Sequence, residues 1–194
     1  MAGFTVTTKK VDLRQIFNQV SKIYHKSSEI KSTDLSGTSL TIDMELPVLG
    51  EGFTFNSGEA ETTNIRLTDE TIWVARVDKG DPDISIQVAS FADKVNELFL
   101  NKVTAAAVAD ASSLIDGKTF AGSGYNLSPK KAKGALLVVS QDEESIVVLP
   151  NVEMFGSLVL ADGDNPAYFN VPITPLENSE GVEIFILQST APSL

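Results

Sequence analysis

Cysteine is absent from this chain of 194 residues. Its absence removes disulfides, thiolate nucleophiles and cysteine-ligated metals together, so packing and hydrogen bonds alone must hold the fold. A single histidine, His25, excludes any two-histidine metal motif and leaves one candidate for imidazole acid–base chemistry. Aromatic residues make up only 7% of the chain, and Trp73 is the one tryptophan. No run approaches the roughly 20 apolar residues of a membrane helix, and Met1–Lys10 carries no apolar stretch of the kind that opens a secretory signal. Basic residues are scarce: 15 Lys and Arg stand against 26 Asp and Glu, for a formal net charge of −11. Wrapping nucleic acid by neutralising its phosphates needs clustered Lys and Arg, which this balance excludes. A negative surface that lets DNA slide past is compatible with it, as is acidity that serves solubility alone.

What is present is a patterned globular chain, 42% hydrophobic, read as a single domain over residues 1–194. The period of the pattern changes from two to about 3.6 across residues 81–100. Ile84, Ile86 and Val88 alternate with Ser85 and Gln87 as a half-buried strand. Phe91, Val95, Leu98 and Phe99 then share one helical face, with Ser90 as N-cap and Asp93 in the first turn. Residues 1–37 read as an N-terminal arm, extended over Gly3–Thr8, and a helix from Asp12 to Glu29 carrying Leu13, Ile16, Phe17, Val20, Ile23 and Tyr24, which would put His25 near its negative end.

Thr38–Leu49 is the clearest strand, with Leu40, Ile42, Met44, Leu46 and Val48 on one face and Asp43 and Glu45 on the other. Residues 50–64 read as a long interaction loop whose only aromatics, Phe53 and Phe55, call for a partner surface. Further strands fall at Ile65–Leu67, Thr71–Val77, Ala135–Val139, Ser145–Leu149, Val152–Leu160, Tyr168–Ile173 and Val182–Leu187. Val103–Ile115 is ambiguous, and Gly117–Lys133 reads as a second excursion. The fold class expected is mainly β with one or two short helices, a sandwich or barrel of α+β type.

The chemistry-bearing candidates are weak. Asp78-Lys79-Gly80-Asp81-Pro82-Asp83 and Asp162-Gly163-Asp164-Asn165 could be read as calcium loops, but neither has the full ligand spacing and both suit turns. His25 has no matched nucleophile, and Gly122-Ser123-Gly124 lacks both the nucleophile-elbow and the phosphate-loop spacing, so it reads as a turn. Ser128–Lys133 is the only basic cluster and reads as a solvated loop. Trp73 reads as a packing residue or interface anchor. No catalytic residue, cofactor or metal is expected, and the chain reads as a scaffold rather than an enzyme.

Thr71–Arg76, the acidic turn, Ile84–Val88 and the helix near Phe91–Leu100 together resemble the strand–strand–helix centre of phage major tail tube proteins. Gly134–Ser140, Ser145–Glu153, Asp164–Ile173 and Val182–Leu187 resemble that family's later strands. The likeness covers residues 70–190 in pattern and rests on no invariant motif. It implies a virion subunit, assembled in the bacterial host cytoplasm, whose homohexameric rings share an inner β-barrel and stack into a tube through which DNA passes without specific binding. Other tail proteins (tape measure, terminator and distal tail proteins) would be its partners, and no membrane would be involved. On this reading Asp43 and Glu45 face the lumen, while Phe53 and Phe55 reach a neighbouring subunit or ring. The inner tube of a contractile injection system shares the implied fold. A carbohydrate-binding or adhesion sandwich is the alternative of a different class.

Overall fold

The computed structural model describes residues 17, 19–68, 70–111, 114–160 and 166–189. In chain order its elements are β1 (Val20–Lys26), α1 (Ser32–Leu35), β2 (Met44–Leu46), β3 (Val48–Asn56), β4 (Ala60–Arg66), β5 (Ile72–Lys79), β6 (Asp83–Val88), α2 (Asp93–Phe99), β7 (Asn101–Val108), β8 (Gly122–Asn126), β9 (Lys131–Ser140), β10 (Ser145–Phe155), β11 (Ser157–Val159), β12 (Tyr168–Pro175) and β13 (Phe185–Gln188). The described residues are mostly β, with two short helices among them.

The main sheet runs β2-β1-β9-β10-β12-β6-β3, with β11 on β12 and β13 on β10, and every pairing in it is antiparallel. Its two end strands, β2 and β3, are separated in the chain by Pro47 alone. Leu46 pairs with Ile23 of β1, Val48 pairs with Val88 of β6, and the Pro47 carbonyl accepts a hydrogen bond from Ala89 N at 2.8 Å. One bent strand therefore closes the sheet on itself as a barrel, which leaves no long open edge around the core. Proline is tolerated at the bend because only its carbonyl is used.

Alternation fills the barrel. Ile23, Leu46, Ile84, Ile86, Val88, Leu136, Val138, Val152, Met154 and Val171 are buried in one cluster. Phe99 of α2 joins it, its ring centroid 5.3 Å from that of Phe169. A Cβ at Gly156 would lie 2.5 Å from the Phe99 ring, so the absence of a side chain there is what lets Phe99 seat. The strand β9 is covered on both faces: Ala135 and Leu137 point outward into a second cluster with Ile30 and Val148, packed by Tyr24, Leu40 and Ile42. The segment around α1 supplies that outer cover, tied down where Ile30 N donates to Pro150 O and the buried Asn178 amide donates to Ile30 O, each at 2.9 Å.

Several expectations are corrected. Val20–Lys26 is a strand, not the end of a helix, and His25 is buried within it rather than near a helix end. Ile23 and His25 face the interior while Tyr24 packs outside, and a strand covered on both faces places apolar residues side by side, which imitates helical spacing. The arm Gly3–Thr8 and residues 12–16 and 18 of the expected helix lie outside the described residues. The expected loop 50–64 is largely strand, since β3 and β4 occupy most of it. The strand expected from Thr38 begins only at Met44, although Leu40 and Ile42 do turn inward to the outer cluster. Gly122–Gly124 lies in β8 rather than in a turn. The helix α2 starts at Asp93 with Ala92 as N-cap, and the Ser90 hydroxyl accepts from Ala92 N at 3.2 Å instead of capping.

Candidate assembly surface

Two ribbons leave the barrel; the first is not covered by it, and the second is covered only near its root, where Tyr125 packs against the core. The first continues the β3–β6 pair: past Asn56↔Asp83 the same two chains run on as β4 and β5. At the root, Gly58 has a φ of +86°, and a Cβ on it would sit 2.3 Å from Gly80 O; a Cβ on Gly80 would sit 2.3 Å from Glu59 O. Gly80 N donates to Glu59 O at 3.0 Å, so the chains cross in backbone contact. Only glycine gives both the left-handed φ and the clearance. Beyond the root every residue of β4 is exposed, as is every residue of β5 except the half-buried Asp78. Trp73 is 67% and Val77 64% exposed, and Ile65, Ile72 and Val74 are also open to solvent.

The second ribbon, β7–β8, starts at the end of α2 and pairs Asn101↔Asn126 through Val108↔Gly122, with a register break between Val103 and Ala107. A Cβ at Gly124 would lie 2.7 Å from the Ala106 Cβ, so the bulged chain needs a bare backbone opposite it. Ala111 N donates to Phe120 O at 2.8 Å near the far end, where Val108, Leu114, Ile115 and Phe120 are exposed. Among the described residues neither ribbon pairs with any other strand. Isolated two-stranded ribbons are marginal in water, and each of these presents two rows of unpaired backbone donors and acceptors.

Charge around the ribbon roots is largely engaged. Lys79 Nζ donates to Glu183 Oε2 at 2.6 Å, and Arg76 Nε to Asp78 Oδ1 at 2.8 Å. The basic cluster at Ser128–Lys133 is not a free solvated loop. Lys130 Nζ donates to the carbonyls of Glu97 and Leu100 at the end of α2. Lys131 and Lys133 bracket Glu153 at 2.6 and 3.1 Å, and their hydrogen bonds hold its carboxyl below the usual range.

The lumen and interface candidates, Asp43, Glu45, Phe53 and Phe55, fall on or beside the barrel rather than on the ribbons. Asp43 is exposed but precedes β2; its carboxylate accepts from Ser27 N and Ser27 Oγ, both at 2.6 Å, and these bonds depress its pKa. Glu45 is exposed on β2, opposite Tyr24. Phe53 and Phe55 stack with centroids 6.3 Å apart, on β3 instead of a loop. Phe53 packs against its own barrel core, whereas Phe55 is 39% exposed over a slot shared with Ile84, Lys79 and Ile186. The expected strand Thr71–Val77, with Trp73 as a possible interface anchor, was the clearest signal in the sequence for a ribbon. The rest of β4, Thr62-Thr63-Asn64 included, is too polar to announce a strand.

Among the described residues no three His, Asp or Glu side chains converge to hold a metal, and Asp162–Asn165 lies outside them. No described helix is long and apolar enough to cross a membrane. Comparison with known proteins returns no matching family model and no matching curated sequence.

Proposed function

We propose that this chain is a structural subunit that polymerises with copies of itself into a hollow tube, as the major tail tube protein of a phage does, with rings of subunits enclosing a channel for DNA. The observation that carries the reading is the contrast between a barrel that closes on itself and two ribbons that do not. A barrel of this kind needs no partner. Ribbons largely exposed, with both edges unpaired, gain from laying edge against edge in a ring, where each unpaired backbone row meets its complement and no sheet edge is left. Half-burying apolar side chains such as Trp73, Val77, Ile72 and Ile65 would contribute on the order of 1 kcal/mol each, against which association entropy must be set. A heterologous contact of this type closes into rings or propagates as filaments. The acidic composition supports a bore that does not retain phosphate. Negative-stain microscopy of the purified chain at rising concentration tests the proposal. Rings or tubes of uniform width are expected, and monodisperse monomers at every concentration would refute it.

A further inference from the structure

The main sheet has a short gap that the barrel does not close. The end of β10 is flanked on both sides, by β9 where Phe155 pairs with Lys131 and by β12 where Met154 pairs with Ile173. Past Gly156 the chain continues as β11 and keeps the same register with β12, Ser157 lying opposite Asn170. The other side is not continued, because Lys131 is the first residue of β9 and Pro129, just before it, cannot donate to a ladder. Among the described residues β11 pairs with β12 alone. Beside its open edge lies a slot of about 590 Å³ lined by Leu100, Leu127, Pro129, Phe155, Leu158 and Leu160. Leu127 and Leu160 are largely open to solvent, and among the described residues no charged side chain lines the slot. An open strand edge beside an apolar slot suits an extended segment, the edge holding its backbone and the slot its alternate side chains.

The chain itself carries one segment of the matching kind. Gly3–Thr8 is uncharged and places Phe4 and Val6 at a period of two among threonines. Of the other longer stretches outside the described residues, 161–165 brings two aspartates and 190–194 a proline. Reach decides which copy the segment serves. The strand β9 runs from Lys131, beside the slot, to Ser140, which lies opposite Val20 where β1 begins. Its 10 residues span about 30 Å, whereas the stretch from Thr8 to Val20 reaches about 40 Å only at full extension. Serving its own slot would pull that stretch nearly straight and leave no slack to round the barrel. In a head-to-tail stack the next copy presents its slot at the end from which the segment leaves, a heterologous contact that repeats along a tube.

We propose that Gly3–Thr8 of one copy lies in the slot of the next as an added strand against β11, with Phe4 and Val6 turned inward. This rests on the tube reading above, to which it adds a joint distinct from the ribbons. So short a strand is too weak to join free subunits, and it seats once the ribbons have gathered the copies and its effective concentration is high.

The lack of native cysteine makes the test direct. Val6→Cys and Leu127→Cys chains are mixed in equal amounts, assembled and treated with a short bismaleimide, and the double variant is treated alone while dissociated. The expected product, identified by mass spectrometry, joins the arm peptide of one chain to the Leu127 peptide of another in the mixed assembly. Adding Phe4→Asp to the Val6→Cys chain is expected to lower its yield at least about tenfold, since an unpaired charge is costly in an apolar slot. Arm-to-slot links within one chain of the dissociated double variant, no such link between chains in intact tubes, or an unchanged yield with Phe4→Asp would overturn the docking while leaving the tube standing. Failure of the unsubstituted chain to form tubes would overturn the tube reading, and this inference with it.

Discussion

Trp73 and His25 mark the two extremes of solvent contact among this chain's polar-edged rings, and each reports on a different half of the molecule. His25 is 1% exposed between β2 and β9, with Nε2 3.3 Å from Lys133 O and no partner for Nδ1. Burial pushes its pKa down; the Lys133 carbonyl and the Asp43 carboxylate push the other way without prevailing. The folded state thus favours the neutral ring, while the unfolded chain takes up a proton near the ordinary value of 6.5. The stability it contributes is fully present above that value and is lost as pH falls from it through the lower pKa of the folded ring. Depressed carboxylates such as Asp43 and Glu153 act in the same direction but in a more acidic window. Denaturant melts between pH 7.5 and 5 should show a falling midpoint for the native chain and a flatter profile for His25→Gln; identical slopes would contradict the assignment. At the core, Phe99→Ala should cost about 3–5 kcal/mol, as for other buried aromatics truncated to alanine, because the ring is fully buried against Phe169 and nothing else fills the place. Chemical denaturation of that variant measures it.

At the scale of elements, the ribbon β4–β5 depends on the glycine crossing at its root. Gly80→Ala forces a Cβ to within 2.3 Å of Glu59 O, and the backbone there has to move. The expected result is a barrel that stays folded, losing roughly 1–3 kcal/mol, with assembly abolished because the ribbon no longer leaves the barrel at the required angle. Circular dichroism and sedimentation read the two effects separately. The same element shows which parts of the fold were legible in the sequence. Strands that bury a face inside the barrel, such as Ile84–Val88 and the pair Ala135–Val139 and Ser145–Leu149, could be read from period and turn chemistry because their cover comes from their own chain. Ala60–Arg66 could not, since all its residues are exposed and no apolar period marks it. The proposed account is that its cover comes from other copies, so half of its pattern is written in the neighbour. Val20–Lys26 failed for a different reason: its burial alternates, but polar and charged residues such as Lys22 and His25 stand among its apolar ones, so no period of two shows in the sequence. Ion pairs such as Lys79–Glu183 carried no local signal, because their partners are 104 residues apart.

For the whole molecule, folding and assembly should be separable. Glu59 and Gly80 are already hydrogen-bonded neighbours, so residues 60–79 can be excised and the ends joined by a two-residue Asn-Gly turn. The shortened chain should melt within about 5 °C of the parent, since the barrel core receives nothing from this ribbon, and should sediment as a monomer at concentrations where the parent assembles. A large loss of stability would mean that the ribbon belongs to the fold rather than to an interface.

The most direct test follows the emission of Trp73 as concentration is raised. This is the only tryptophan in the chain, it sits on β5, and two thirds of it is open to solvent in the isolated subunit. If the ribbons are completed by other copies, the emission starts at the long wavelength of a hydrated indole and moves to shorter wavelength in step with the appearance of large sedimenting species. If large assemblies form and the indole stays hydrated, or if no assembly forms across the accessible concentration range, the ribbons are not the joining surface and the account is contradicted.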